Sequence, residues 1–236
     1  MNKKVSVLND GFNEGTRFME FIYQNLMILF ESLYNSIFGR ELINLKIVCI
    51  GDSLTYGYRL RRSQVWTRLI EDKHGIKVSN KGINGDSTGG MLARFYRDVV
   101  ENKPSNVIIM GGANDLIMKV PLNVIKSNIA TMAHQARGNL IIPIIATQPL
   151  SEPDMARAEW SNITDFNRVN RELLELREWI IEFSNNFDVK IIDFCGELHK
   201  KIDEENKYEI YLDGLHLTPR GNEMMLDIIS PLLTNI

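Results

Sequence analysis

Five short apolar runs follow one another from residue 46 onward, and segments with helical periodicity separate them. The runs are KIVCI (46–50), KVSN (77–80), NVIIMGG (106–112), LIIPIIAT (140–147) and VKIIDF (189–194). Because these runs lack the regular polar alternation of a half-exposed strand, they predict strands covered on both faces. Strands that alternate with helices predict a parallel sheet of about five strands, in a three-layer α/β/α sandwich with right-handed crossovers.

Three of the separating segments carry an apolar helical face. The faces consist of Leu92, Phe95, Tyr96 and Val99; of Ile125, Ile129, Met132 and Ala136; and of Phe166, Val169, Leu173, Leu176, Ile180 and Phe183. Residues at these spacings lie on one side of an α-helix, so each segment predicts a helix packed on the sheet. Because ligands of open α/β sheets bind beyond the carboxyl ends of the strands, we expect the functional residues there.

The composition is typical of one globular domain. Of 236 residues, 44% are hydrophobic, which suffices for a sizeable core and excludes the disordered and fibrous classes. Lys and Arg number 27 against 30 Asp and Glu, and a net charge of −3 argues against nucleic acid as a partner. The two cysteines, Cys49 and Cys195, lie in apolar runs and are expected to be buried thiols.

Residues 1–44 predict an N-terminal helical extension, and residues 45–236 predict the main domain. Within 14–40 an apolar face runs through Phe18, Ile22, Leu26, Leu29, Leu33 and Ile37. Its polar stripe is acidic or neutral, which disfavours a membrane surface and favours packing on the domain or pairing in a homo-oligomer. The longest pure apolar run covers only 26–30, whereas a membrane span needs about 20 residues. An uninterrupted secretory signal is not found, so a cytoplasmic location is predicted.

The first strand leads into Gly51-Asp52-Ser53, a turn that places a serine hydroxyl at the ligand edge of the sheet. A serine needs a neighbouring base to become a nucleophile. His216 is the best candidate, because Asp213 lies three residues before it and can orient its imidazole as in a Ser-His-Asp triad. Thr218 and Pro219 then predict the start of the last helix. The other histidines, His74, His134 and His199, are predicted to be structural or exposed.

Two further strand ends carry groups that could stabilise an oxyanion. Gly85, after the second strand, offers a backbone N–H, and Asn114, after the third, offers a side-chain amide. Taken singly, each loop is more simply interpreted as a glycine-rich turn between a strand and a helix.

Four motifs in order change that interpretation: GDSL (51–54), NGD (84–86), GAND (112–115) and DGLH (213–216). Together they make residues 46–230 resemble the SGNH hydrolases, also called GDSL esterases and lipases. The resemblance implies a flavodoxin-like fold with Ser53 as nucleophile, His216 as general base and then acid, and Asp213 as the residue that orients it. It also implies an oxyanion hole built from the N–H groups of Ser53 and Gly85 and the Asn114 amide.

Other functions find less support in the sequence. The last glycine of a G-x-S-x-G elbow is missing after Ser53, and no phosphate-binding glycine pattern opens a helix. Neither a metal nor another cofactor is expected, because no His or Cys pair has ligand spacing. The favoured hypothesis is a serine esterase acting on small or lipid-like carboxylic esters through an acyl-enzyme. A lysophospholipase, a carbohydrate acetylesterase and a non-enzymatic membrane-surface or partner-docking protein are the alternatives. Residues 148–165 are expected to form a pocket wall or a lid.

Overall fold

The computed structural model describes residues 45–160 and 164–234. Its sheet consists of β1 (Lys46–Gly51), β2 (Lys77–Gly82), β3 (Asn106–Met110), β4 (Ile142–Ala146) and β5 (Lys190–Ile192). All neighbouring strands are parallel, in the order β2-β1-β3-β4-β5. The five predicted strands and the α/β sandwich are confirmed. The expected cover on both faces is wrong for β2, an edge strand of which no residue is buried. In this order the chain leaves β1 for β2 on one side and returns to β3 on the other, which opens a crevice at the carboxyl ends of β1 and β3.

Ten helices surround the sheet in the described part of the chain. They are α1 (Ser53–Tyr56), α2 (Trp66–His74), α3 (Thr88–Phe95), α4 (Ala113–Ile117), α5 (Leu122–Gly138), α6 (Pro153–Glu159), α7 (Phe166–Phe187), α8 (Phe194–His199), α9 (Lys207–Ile210) and α10 (Pro219–Leu233). A 3₁₀ turn covers Arg62–Gln64, and a π-helical turn covers Tyr96–Val100.

The core lies on both faces of the sheet, because successive side chains of a strand point to opposite sides. Ile47 and Cys49 pack in one cluster with Trp66, Phe194 and Ile229 of α2, α8 and α10. Val48, Ile50, Phe95, Ile129 and Leu173 belong to the opposite cluster, beneath α3, α5 and α7. Both cysteines are buried, as predicted.

Two of the three predicted helical faces are buried in full, those of α5 and α7. The third is wrong at Tyr96, which is 63% exposed, although Phe95 and Val99 are buried. The cause is the π-helical turn over Tyr96–Val100, whose i→i+5 geometry is wider than that of an α-helix. Phe95 and Val99 stay on the inner side of this wider turn, while Tyr96 rotates away from the core.

The predicted extension over residues 1–44 lies outside the described residues, as does the helix expected within 14–40. The domain boundary at 45, the homo-oligomer and the cytoplasmic location therefore stay predictions. Over residues 45–160 and 164–234, no helix has the length and apolar character needed to cross a membrane.

Candidate active site

The turn after β1 places Ser53 at the carboxyl edge of the sheet. Only glycine fits at Gly51, because a Cβ there would lie 2.1 Å from Thr55 Oγ1 and 2.7 Å from the Met110 carbonyl oxygen. The Asp52 side chain caps α1 by accepting a hydrogen bond from the Leu54 N–H at 2.9 Å. Ser53 is the first residue of this helix and is 9% exposed. Tight packing of the turn therefore fixes the direction of its hydroxyl.

The DGLH loop brings His216 to this serine from the far end of the chain. His216 Nε2 lies 2.8 Å from Ser53 Oγ, and His216 Nδ1 lies 2.9 Å from Asp213 Oδ2. Asp213 Oδ1 also accepts the backbone N–H groups of Leu215 and His216, at 3.0 and 2.8 Å. Thr218 caps α10 as predicted, and Pro219 opens this helix. The structure thus joins Asp213, His216 and Ser53 in one chain of hydrogen bonds.

The environment of Asp213 favours its ionised form. Burial raises the pKa of this carboxyl, but hydrogen bonds from the His216 ring and backbone outweigh burial and hold the pKa below its ordinary value. An ionised Asp213 accepts from Nδ1–H of a neutral imidazole, which leaves Nε2 free to accept a proton. Ser53 Oγ lies next to Nε2, so its proton can pass directly to this nitrogen.

Of the two other predicted site residues, Asn114 contacts the loop after β2, and Gly85 lies on that loop but is not among the residues that line the cavity beside Ser53. Asn114, near the start of α4, donates its amide to the Asp86 carbonyl oxygen at 3.0 Å, and it lies 3.4 Å from Asp52 Oδ2. Gly85 precedes Asp86 and has a left-handed backbone with φ of 75°, which favours glycine. Among the described residues, neither the Ser53 nor the Gly85 N–H donates to another backbone group. The cluster therefore holds donors that a ligand could use.

A cavity of about 30 Å³ opens between Ser53, Asn114 and His216. The apolar side chains that line it are Leu54, Ala113, Ile117, Pro149, Val169, Leu173 and Leu215. On another side, the rings of Tyr58 and Trp160 lie 4.3 and 5.3 Å from the His216 ring, between centroids. Parts of 148–165 thus do border the site, through Pro149 and Trp160. The role of this segment as a lid stays a prediction, and its residues 161–163 lie outside the described residues.

Two side chains behind the site were not singled out from the sequence. Gln148 donates to Asp52 Oδ2 at 2.6 Å and accepts the Ala113 N–H at 2.5 Å, so it ties the Ser53 turn to the start of α4. Burial raises the pKa of Asp52 to about 6, although hydrogen bonds from Leu54 and Gln148 oppose the rise. Their positions gave a signal, because Asp52 lies in the GDS turn and Gln148 follows the fourth strand closely at the ligand edge.

The remaining histidines have other contacts. His74 Nε2 lies 2.9 Å from Ser230 Oγ, and the His134 ring packs edge-on against Phe183 and Phe187. His199 lies in the last turn of α8.

Several known proteins that are similar in sequence to this chain are hydrolases. Residues 49–224 match the model of the GDSL-like lipase/acylhydrolase family. An arylesterase of Vibrio mimicus is 38% identical in an alignment 92 residues long, which covers 37% of this chain and only 46% of the arylesterase. The isoamyl acetate-hydrolyzing esterase 1 homolog of Rattus norvegicus is 27% identical over 83% of this chain and 84% of its own length.

A solved structure extends the likeness to the fold. The lipase/acylhydrolase of Enterococcus faecalis superposes with a TM-score of 0.66 at 26% identity, covering 80% of this chain and 95% of that one. The family model alone covers well over half of the chain, including all four motifs. The chain therefore belongs to the GDSL-like lipase/acylhydrolase family of hydrolases.

Proposed function

We propose that this protein is a serine esterase that hydrolyses short-chain carboxylic esters through an acyl-enzyme. One observation carries the proposal: Asp213, His216 and Ser53 form an unbroken chain of hydrogen bonds beside the Asn114 amide. An oriented base next to a serine hydroxyl is what acyl transfer requires. The arylesterase and the isoamyl acetate-hydrolyzing relative support carboxylic esters as the substrate class.

In the first half of the reaction, Ser53 Oγ attacks the ester carbonyl carbon and transfers its proton to His216 Nε2. Asp213 stabilises the imidazolium that forms. The N–H groups of Ser53 and Gly85 and the Asn114 amide donate to the developing oxyanion. When the tetrahedral intermediate collapses, the bond to the alcohol oxygen breaks, and His216 gives its proton to the departing alcohol.

In the second half, a water molecule takes the place of the alcohol. His216 accepts one water proton while the oxygen attacks the acyl carbon, and the second tetrahedral intermediate forms. Its collapse breaks the bond to Ser53 Oγ, which regains a proton from His216. The carboxylic acid leaves, and the starting hydrogen-bond chain is restored.

The size of the cavity beside Ser53 favours small acyl groups. Its volume of about 30 Å³ is roughly two to three times the ~10–15 Å³ that one water needs, so a methyl or ethyl group fits without displacing the walls. A longer chain is expected to press against the side chains of Ile117, Val169 or Leu173, which line the cavity. The exposed ring of Trp160 lies near His216.

A series of 4-nitrophenyl esters tests this assignment, because the leaving group stays constant while the acyl chain grows. We expect kcat/KM to fall by about tenfold or more between two-carbon and eight-carbon acyl groups, since overpacking the side chains that line the cavity costs roughly 1–3 kcal/mol. A preference for long chains or for lysophospholipids would favour the lipid alternative. Absence of turnover with every ester, acetylated sugars included, would support a non-enzymatic role.

Removal of the Asn114 amide gives a second prediction. Asn114→Ala should lower kcat by about 10²- to 10³-fold with a smaller change in KM, because an oxyanion donor acts mainly in the transition state. Steady-state kinetics on 4-nitrophenyl acetate measures both constants. Asn128→Ala is the matched control, since the Asn128 amide donates to Thr88 Oγ1 and not to this site. A loss confined to KM would assign Asn114 to ground-state binding instead.

A further inference from the structure

Arg94, on α3, is a buried arginine whose guanidinium reaches several loops at once. Its side chain is 8% exposed. Its nitrogens donate to Asp86 Oδ2 at 2.8 Å, to the Lys81 carbonyl oxygen at 2.8 Å, to Asp98 Oδ2 at 2.9 Å and to the Gly51 carbonyl oxygen at 3.0 Å. Two carboxylates therefore compensate its charge, and two carbonyl groups at the ends of β1 and β2 use its remaining donors.

Each candidate oxyanion donor is within two residues of one of these contacts in the chain or is hydrogen-bonded to a residue that makes one. Gly51 lies two residues before Ser53, and Asp86 directly follows Gly85. The carbonyl group of Asp86 also accepts the Asn114 amide at 3.0 Å. The other carboxylate oxygen of Asp86 accepts the Ser87 N–H at 3.0 Å, which fixes the loop in place. One guanidinium thus connects the Ser53 turn with the loop on which the two other donors depend.

We propose that Arg94 is a positioning residue for the oxyanion hole, an inference that rests on the proposed function. By binding Gly51 and Asp86 together, it sets the distance between the Ser53 turn and the Gly85–Asp86 loop. The rigid fork of an arginine can hold both partners at fixed angles, whereas the single ammonium of a lysine cannot. Arg94 needs no contact with the substrate, because it acts through Asp86 and Gly51.

Arg94→Lys keeps the positive charge and removes the fork. We expect kcat on 4-nitrophenyl acetate to fall by about 10- to 100-fold with KM changed less than threefold, since a displacement near 1 Å in a catalytic group has an effect of this size. The rate of phosphonylation of Ser53 should fall by a similar factor. A purely structural role would lower the melting temperature and leave both rates unchanged in the folded protein.

Arg177→Lys is the matched control. Arg177 forms a bidentate pair with Asp193, with N–O distances of 2.6 and 2.8 Å, but this pair joins α7 to the start of α8. The control should lose thermal stability while kcat stays within about twofold of the unmodified protein, since these contacts lie away from the Asp86 loop. An equal loss of kcat in Arg177→Lys would overturn the proposal, because any broken arginine pair would then have the same effect.

Asp86→Asn tests the same link from the loop and decides the question if Arg94→Lys fails to fold. It keeps an acceptor for the Ser87 N–H but weakens the pair with Arg94, so kcat should again fall by about tenfold or more. If folded variants at Arg94 and Asp86 both retain kcat within twofold, Arg94 does not position the hole. Turnover that persists in Ser53→Ala would instead overturn the proposed function, so the two failures are distinguishable.

Discussion

Ser53→Ala is expected to lower kcat by about 10⁴-fold or more and to abolish covalent labelling by an organophosphonate. Ser53 Oγ lies 2.8 Å from His216 Nε2, the base that activates it. Another hydroxyl cannot replace it, because a hydroxyl without a paired base is too weak a nucleophile to react. Mass spectrometry of the intact protein measures the labelling, and hydrolysis of 4-nitrophenyl acetate measures kcat. Circular dichroism should give the same spectrum as the unmodified protein, since one oxygen atom is removed.

Ser151→Ala is the control for this prediction. Ser151 lines the same cavity, but its hydroxyl donates to Asn170 Oδ1 at 2.8 Å and has no such base. The variant should be labelled at close to the normal rate. Stoichiometric labelling of Ser53→Ala would move the nucleophile to another residue and leave the proposed mechanism without its first step.

His216→Ala is expected to have an effect nearly as large, about 10⁴-fold or more on kcat. Without the imidazole, nothing accepts the Ser53 proton, and the buried Asp213 carboxylate loses the ring that compensates its burial. KM should change little, because the ring acts on the transferred proton. Kinetics on 4-nitrophenyl acetate and the rate of phosphonate labelling should decline together.

His134→Ala is the matched control for that variant. Its ring contacts Phe183 and Phe187 on α7, so the substitution should lower thermal stability but leave kcat close to the unmodified value. If kcat fell several hundredfold in His134→Ala but stayed normal in His216→Ala, the base would have been assigned to the wrong histidine.

The sequence predicts the sheet well because the information is local. The strands at 46–51 and 106–110 are buried on both faces, and their Ile/Val content reflects that burial directly. Tyr96 was misplaced because a π-helical turn depends on how the chain enters the next loop, and a regular 3.6-residue period does not contain that information. Its neighbours Phe95 and Val99 were placed correctly by the same pattern.

The site was partly visible for the same reason. Ser53, Asn114 and His216 follow strands or precede a helix in motifs that carry little weight singly, so their roles could be predicted only from the four motifs taken in order. Arg94 could not be found in this way, since a polar residue within an amphipathic helix usually lies in solvent. Its burial depends on the close approach of α3 to the ends of β1 and β2, which is a property of the tertiary structure alone.

The nucleophile and the base of the proposed mechanism lie in contact in the folded domain but are 163 residues apart in the chain. His216 is held by the bridge between Tyr211 and Leu217 and by α10, which docks through a hydrogen bond of 3.0 Å from the Trp66 N–H to Asn222 Oδ1. Contacts of such long sequence separation carry the largest loop-closure cost and add to the contact order that slows folding. A folding intermediate with β1 to β4 in place would therefore possess Ser53 but no base, and recovery of enzymatic activity during refolding would report the docking of the last helix rather than the formation of the sheet.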